Sequence, residues 1–331
     1  MTRSILTLSI SLILLAACAP SSRNSMNHSK DDAQQISGLQ KANEKATINP
    51  DDFILDKKPV SLLELPQTNE GQIVLADGFY ETDYKSYCLQ PGTPDPSQRD
   101  AYLQAPLNGY RKDIIETILR NSQRKSHLEQ KNIQLLLWSV VSGSNYNQLS
   151  FPVRSTANEL LSPQQIFELK GGAMAVVRTI AAAIPESKGI AGYGNVKQLF
   201  ELGTSSYEAF EKIAVQRELS VIHRPDYKRD QWYKQAGGYY VRYFPSSYKN
   251  VKIQVFVPEG TVDTAAATNG RYLFFDPVKM MAVPANSNAQ RLGIGAPMVD
   301  VIIKVIQVNK GTGNLPGPKP PVSPKNPKGA S

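Results

Sequence analysis

The segment from Leu128 to Val141 constrains this chain more than any other, because Ile133, Leu135, Leu136, Leu137, Trp138, Val140 and Val141 crowd into a few helical turns. A helix that is apolar nearly all round has no face to show to water. It predicts a central core helix that other elements must surround. Arg111–Lys125 repeats Ile114, Ile115, Ile118 and Leu119 at helical spacing. Pro163 opens a further helix with Ser162 as its cap and Gly171-Gly172 as its end. Helical stretches follow at 173–184, 196–202 and 206–218. The period then changes. Residues 239–244, 251–257, 271–275 and 299–308 are short, β-branched or aromatic runs bounded by turn formers, and 72–80 reads the same way upstream.

This order predicts an α+β fold in a single domain over residues 51–308: N-terminal strand, a central helical cluster over about 108–218, and a C-terminal β-rich part. In Val251–Val257 the odd residues make one apolar face, leaving Lys252, Gln254 and Phe256 on the other. No repeat of solenoid length occurs.

The ends are of another kind. After Arg3, Ile5 to Leu15 is almost wholly apolar and runs straight into Ala16, Ala17 and Cys18. The run is too short to span a bilayer core of about 30 Å, which takes about 20 helical residues, and it reads as a signal peptide over 1–17. Leu15-Ala16-Ala17-Cys18 resembles the lipobox of bacterial lipoproteins. That resemblance implies a diacylglyceryl thioether on Cys18, removal of residues 1–17, and acylation of the new amino terminus with a chain such as palmitate. In Gram-negative lipoproteins a residue other than Asp after the lipidated Cys directs export to the outer membrane, and here it is Ala19. Residues 18–50 read as a flexible polar tether, and 309–331, dense in Pro and Lys, as a disordered tail.

Thirty-seven Lys and Arg against 29 Asp and Glu give a net charge of +8, or +7 after loss of Arg3 (8 minus 1). Export from the cytoplasm argues against nucleic acid despite this positive charge. It leaves the membrane, reached through the lipid, and an anionic envelope polymer or a protein as partners.

Most site chemistry is missing. His28, His127 and His223 are too scattered for a metal site, no CxxC, HExxH or P-loop occurs, and no cofactor is implied. Gly192-Tyr193-Gly194 and Gly293-Ile294-Gly295 read as turns. Ser122-Gln123-Arg124-Lys125 has the Ser-x-x-Lys spacing without its partner motifs. No catalytic residue is assigned.

With Cys18 lipidated, Cys88 is the one remaining thiol of an exported protein, either a small buried hydrophobe or a sulfur that is covalently occupied. Tyr87-Cys88-Leu89 resembles the aromatic-Cys-apolar motif of the thioester domains of bacterial surface adhesins. Asn132 to Trp138 is similar to that family's Thr-Gln-x-Ala-apolar-Trp motif, with Gln134 and Trp138 matching and Ile133 and Leu136 departing. The family's apolar-Gln-x-x-apolar-apolar motif finds its counterpart in Ile253 to Pro258. The resemblance implies a Cys88–Gln254 thioester that captures an amine, walled by Tyr87, Trp138 and Phe256. On periodicity alone Gln254 is a solvated amide, and Gln134 a satisfied core amide. The leading expectation is a lipid-anchored envelope protein with a binding or scaffolding role. A thioester adhesin is the sharper alternative, and a cell-wall or glycan-processing enzyme the third.

Overall fold

The computed structural model describes residues 49–107, 111–171, 189–217, 228–262, 272–299 and 305–306. The signal peptide, Cys18 and nearly all of the tether, the 173–184 helix, His28, His223 and the tail lie outside them, as does most of the 299–308 strand.

The fold is α+β, and its centre is a closed barrel. Six antiparallel strands form it: β4 (Gly78–Cys88), β6 (Tyr102–Pro106), β9 (Tyr240–Ser247), β10 (Asn250–Val257), β12 (Met280–Pro284) and β13 (Leu292–Pro297). Their order around the barrel is β4-β10-β9-β6-β12-β13, and β13 pairs back onto β4. β1 (Val60–Ser61) lies parallel to the first half of β4, and β8 (Tyr233–Lys234) extends β9. A small second sheet joins β11 (Phe274–Phe275), β3 (Ile73–Val74), β2 (Gln67–Thr68) and β14 (Val305–Ile306); β5 (Thr93–Pro94) pairs with β7 (Val215–Gln216).

Alternation along the strands decides what fills the barrel. Val251, Ile253 and Val255 of β10 face Tyr84, Thr82 and Tyr80 of β4 on one side and Pro245, Tyr243 and Val241 of β9 on the other. These side chains turn inward, as the odd-residue face of Val251–Val257 predicts. Tyr243 donates its hydroxyl to Gln104 Oε1 at 2.8 Å, which satisfies two polar groups buried among them.

The helical layer covers one side. Its members are α2 (Lys112–Ser122), α3 (Gln130–Ser142), α4 (Phe151–Leu160), α5 (Pro163–Leu169), α6 (Gly189–Glu201) and α7 (Tyr207–Ala214); a short α1 (Asp51–Ile54) precedes β1. All residues of α3 from Ile133 to Ser142 are buried, and the helix touches α2, α4, α6, α7 and β4. The central core helix is therefore present. Ser162 caps α5 in a reciprocal box with Gln165.

Several local expectations need correction. Gly192–Gly194 lies inside α6, and Gly293–Gly295 inside β13. In both places glycine is used for close approach. A Cβ on Gly192 would fall 2.2 Å from Pro91 O, and one on Gly295 2.5 Å from the Tyr87 ring. The 72–80 strand is two, β3 and the start of the long β4. Helix α4 and strands β6, β12 and β13 were not foreseen, the strands being rich in Gly, Pro or Met rather than β-branched residues.

Candidate functional site

Strand β10 accompanies β4 only as far as the Asn250–Lys85 pair. Beyond it, one edge of β4 would leave its buried backbone groups bare. Helix α3 fills that edge with two amides one turn apart. Gln130 Nε2 donates to Ser86 O (3.2 Å) and Lys249 O (2.7 Å). Gln134 Oε1 accepts the Cys88 N–H at 2.8 Å, and its Nε2 donates to Cys88 O at 2.9 Å. Across the other edge Cys88 lies opposite Leu292, and Leu89 N–H donates to Arg291 O at 2.9 Å. The residue is held from both sides at the mouth of the barrel.

Its side chain is fully buried. Burial pushes the thiol pKa up to about 12, while the Trp138 indole and the Gln90 backbone pull the other way and the charge of Asp95 adds to the rise. Trp138 Nε1 makes no complete hydrogen bond of its own. The walls are aromatic. Trp138 stacks on Tyr207 with centroids 5.9 Å apart and lies 6.3 Å from Tyr248. Tyr193, brought in by the close crossing at Gly192, donates to Leu89 O at 3.2 Å. Tyr102 donates to Gln290 O at 2.8 Å.

Gln290 is the unexpected member. It precedes Leu292, the strand partner of Cys88, by two residues, just before β13 begins. It is fully buried. Its Nε2 donates to Thr93 O (3.1 Å) and Ala214 O (3.2 Å), yet Oε1 has no hydrogen-bond partner. A buried carbonyl oxygen without a donor costs about 1–3 kcal/mol, so this carboxamide is held in place through its nitrogen while its carbonyl oxygen is left unpaired.

The carbonyl of Ala214 ends α7, whose same face carries Tyr207 and Glu211 at the preceding turns. The Tyr207 and Tyr248 hydroxyl oxygens are 2.5 Å apart, and Tyr248 donates to Glu211 Oε1. Lys249 Nζ (2.9 Å) and an Arg217 nitrogen (3.3 Å) flank the same carboxylate oxygen; against burial, the Tyr248 hydrogen bond and then these two cations hold its pKa below the ordinary value. Asp95, whose pKa is raised by burial, accepts the Tyr248 N–H at 2.9 Å.

The sequence-predicted residues divide between two places. Cys88, Gln134 and Trp138 come together. Gln254 and Phe256 do not join them. Gln254 pairs with Glu81, seven residues before Cys88 on β4 (88 minus 81), a span of about 23 Å at about 3.3 Å per residue. There, on the outer face, its Oε1 accepts from Arg242 Nε and its Nε2 donates to Glu81 Oε2, both at 2.6 Å. Phe256 packs with Ile54, Phe79, Trp232 and Tyr240 on that same outer face. Tyr87 also is no wall of Cys88: as the adjacent strand residue it points the opposite way, over Gly295 and under α2. Ser122 and Lys125 are spent on the carbonyls of Leu119 and Glu159. Among the described residues no group of His, Cys, Asp and Glu could hold a metal ion.

Sequence reasoning missed Gln290, Tyr207, Tyr248, Glu211 and Asp95. A trace of Gln290 exists: Ala289-Gln290-Arg291-Leu292-Gly293-Ile294 is another apolar-Gln-x-x run, masked by glycines that read as a turn. No family model, curated protein or solved structure matches this chain.

Proposed function

We propose that this chain is a lipid-anchored envelope protein, tethered through Cys18, that captures a target amine through an internal thioester between Cys88 and Gln290. The observation that carries the reading is the fully buried carboxamide of Gln290, whose carbonyl oxygen has no hydrogen-bond partner, two residues before the strand partner of the buried Cys88. Sulfur attacks the side-chain carbonyl carbon of Gln290, the C–N bond breaks, and the thiol proton leaves with the amide nitrogen as ammonia. The product is an acyl group that water cannot reach behind Trp138, Tyr207 and Tyr193. Aminolysis is the reverse of that step with a different amine. An incoming primary amine takes the place of the departed ammonia and presents its N–H groups to the same two acceptors, Thr93 O and Ala214 O. Its nitrogen bonds to the Gln290 carbonyl carbon, and sulfur leaves as the thiol.

A binding role without a covalent step is the second reading, favoured by a thiol whose pKa of about 12 keeps it protonated and unreactive toward external reagents. Intact mass decides between them. The thioester makes the unfolded protein lighter by one ammonia and lets methylamine add. Cys88→Ala and Gln290→Ala abolish both, while Gln254→Ala leaves both in place. Full mass with a titratable Cys88 thiol in freshly purified protein overturns the thioester.

A further inference from the structure

Resting on the thioester reading, we propose that Tyr207, Tyr248 and Glu211 form a one-way proton outlet that strips an incoming ammonium of its surplus proton. A phenol carries a single proton. Tyr248 spends its own on Glu211 Oε1, so in the 2.5 Å contact between the two hydroxyl oxygens Tyr207 must be the donor. Both hydrogen bonds therefore point toward the carboxylate. The Tyr207 oxygen keeps lone pairs to accept with, and its ring stacks on Trp138, the indole that faces the Cys88 thiol. A proton taken up there sends the hydroxyl proton of Tyr207 to Tyr248 and that of Tyr248 to Glu211.

The carboxylate is suited to be the end of such a line. Its side chain is 15% exposed, so it meets water, and Lys249 and Arg217 keep it ionised. The groups facing it and the two phenols are Lys249, Arg217, Asp95, its helix neighbour Glu208 and Cys88. Two of the line's three members stand on α7, which also supplies the Ala214 carbonyl that accepts from Gln290 Nε2.

The protons balance. A primary ammonium at neutral pH brings three on nitrogen. One leaves through Tyr207, Tyr248 and Glu211 to water before attack. The nitrogen then bonds to the Gln290 carbonyl carbon, the C–S bond breaks, and the second proton goes to the departing Cys88 sulfur. The third stays on the amide.

The test compares methylamine, an ammonium at neutral pH, with hydroxylamine, which is already uncharged there, by following adduct mass in the full mature chain. Glu211→Gln is expected to slow methylamine capture on the order of 100-fold, the lower end of a proton-transfer contribution, while hydroxylamine capture stays close to wild type, and Tyr207→Phe is expected to slow methylamine capture more than hydroxylamine capture. Raising the pH until methylamine is largely neutral restores its rate. Equal slowing of both nucleophiles, or of neither, overturns the outlet, as does a selective loss in Asp95→Asn instead of Glu211→Gln. The ammonia deficit of each protein is measured first. Variants that carry the deficit but show no selectivity sink the outlet and leave the thioester standing; a wild-type chain without the deficit sinks both. If Glu211→Gln, Tyr207→Phe and Tyr248→Phe all lack the deficit while wild type has it, the three groups serve bond formation and the outlet role is wrong.

Discussion

The carboxamide of Gln134 holds the backbone of Cys88 by two hydrogen bonds, 2.8 Å from its N–H and 2.9 Å to its carbonyl, where a strand neighbour has run out. A helix side chain thus completes a sheet. The consequence is positional: with Gln134 on one edge and β13 on the other, the sulfur is carried on a backbone that cannot shift without breaking buried hydrogen bonds. An intramolecular attack on a neighbouring carbonyl depends on this kind of fixed geometry.

Gln134→Leu tests how much that grip contributes. Leucine fills a similar volume but leaves the Cys88 N–H and carbonyl buried and unpaired, each costing about 1–3 kcal/mol, so the variant is expected to lose about 2–6 kcal/mol. Urea unfolding measures the loss, and intact mass measures the fraction of molecules still lacking ammonia, which should fall with it. An unchanged midpoint would show that the Gln134 amide is not needed at β4.

The parts of this arrangement legible in the sequence are the ones with a local cause. The apolar crowding of 133–141 marked α3, and the alternation in 251–257 marked β10 and put Gln254 on its outer face. Gln134 and Trp138, four apart, announced one side of that helix. Nothing local could reveal Gln290, because its place two residues before the partner of Cys88 exists only once β13 closes the barrel onto a strand two hundred residues earlier (290 minus 88 is 202). Gly293 and Gly295 misled for a related reason. They look like turn residues, but their lack of a Cβ makes room for Leu89, Leu119 and Tyr87, side chains supplied from elsewhere in the chain.

Gly192 and Gly194 sit in the same helix and should respond in opposite ways to alanine. At Gly192 the new Cβ would meet Pro91 O at 2.2 Å and Gly92 Cα at 2.5 Å, so α6 must back away from the loop that it crosses. Gly192→Ala is expected to cost about 1–3 kcal/mol and to withdraw Tyr193 from the site. At Gly194 nothing lies within 4 Å, and alanine is favoured in a helix by about 0.5–1 kcal/mol. Thermal unfolding of the pair checks this, and equal effects at the two positions would contradict the close crossing.

The two carbonyls that hold Gln290 Nε2 also set which amines react. Thr93 O and Ala214 O call for two N–H donors, and leaving one buried carbonyl bare costs about 1–3 kcal/mol. Methylamine should therefore add faster than dimethylamine by about 5- to 150-fold once each rate is corrected for the fraction of uncharged amine. Adduct mass against time gives both rates. Comparable corrected rates would show that the incoming nitrogen does not occupy the place of the departing ammonia.

Alkaline stability separates a bonded sulfur from a free one. In Gln290→Ala the Cys88 thiol is free, and burial raises its pKa from the ordinary 9.0 to about 12. Between those values the folded chain keeps a proton that the unfolded chain has lost, so stability is full below pH 9 and falls as the pH rises toward 12, by up to about 1.4 kcal/mol per unit. The buried phenols of Tyr84 and Tyr193, whose pKa values burial also raises, act in the same direction in every variant. The informative comparison is therefore Gln290→Ala against the double variant with Cys88→Ala. Their difference in unfolding free energy should be constant up to pH 9 and should change above it in favour of the double variant. Wild type, with its sulfur acylated, should follow the slope of the double variant. Parallel curves for the two variants would mean that the thiol does not titrate over this range, and a wild-type slope like that of Gln290→Ala would mean that Cys88 is free in the native protein.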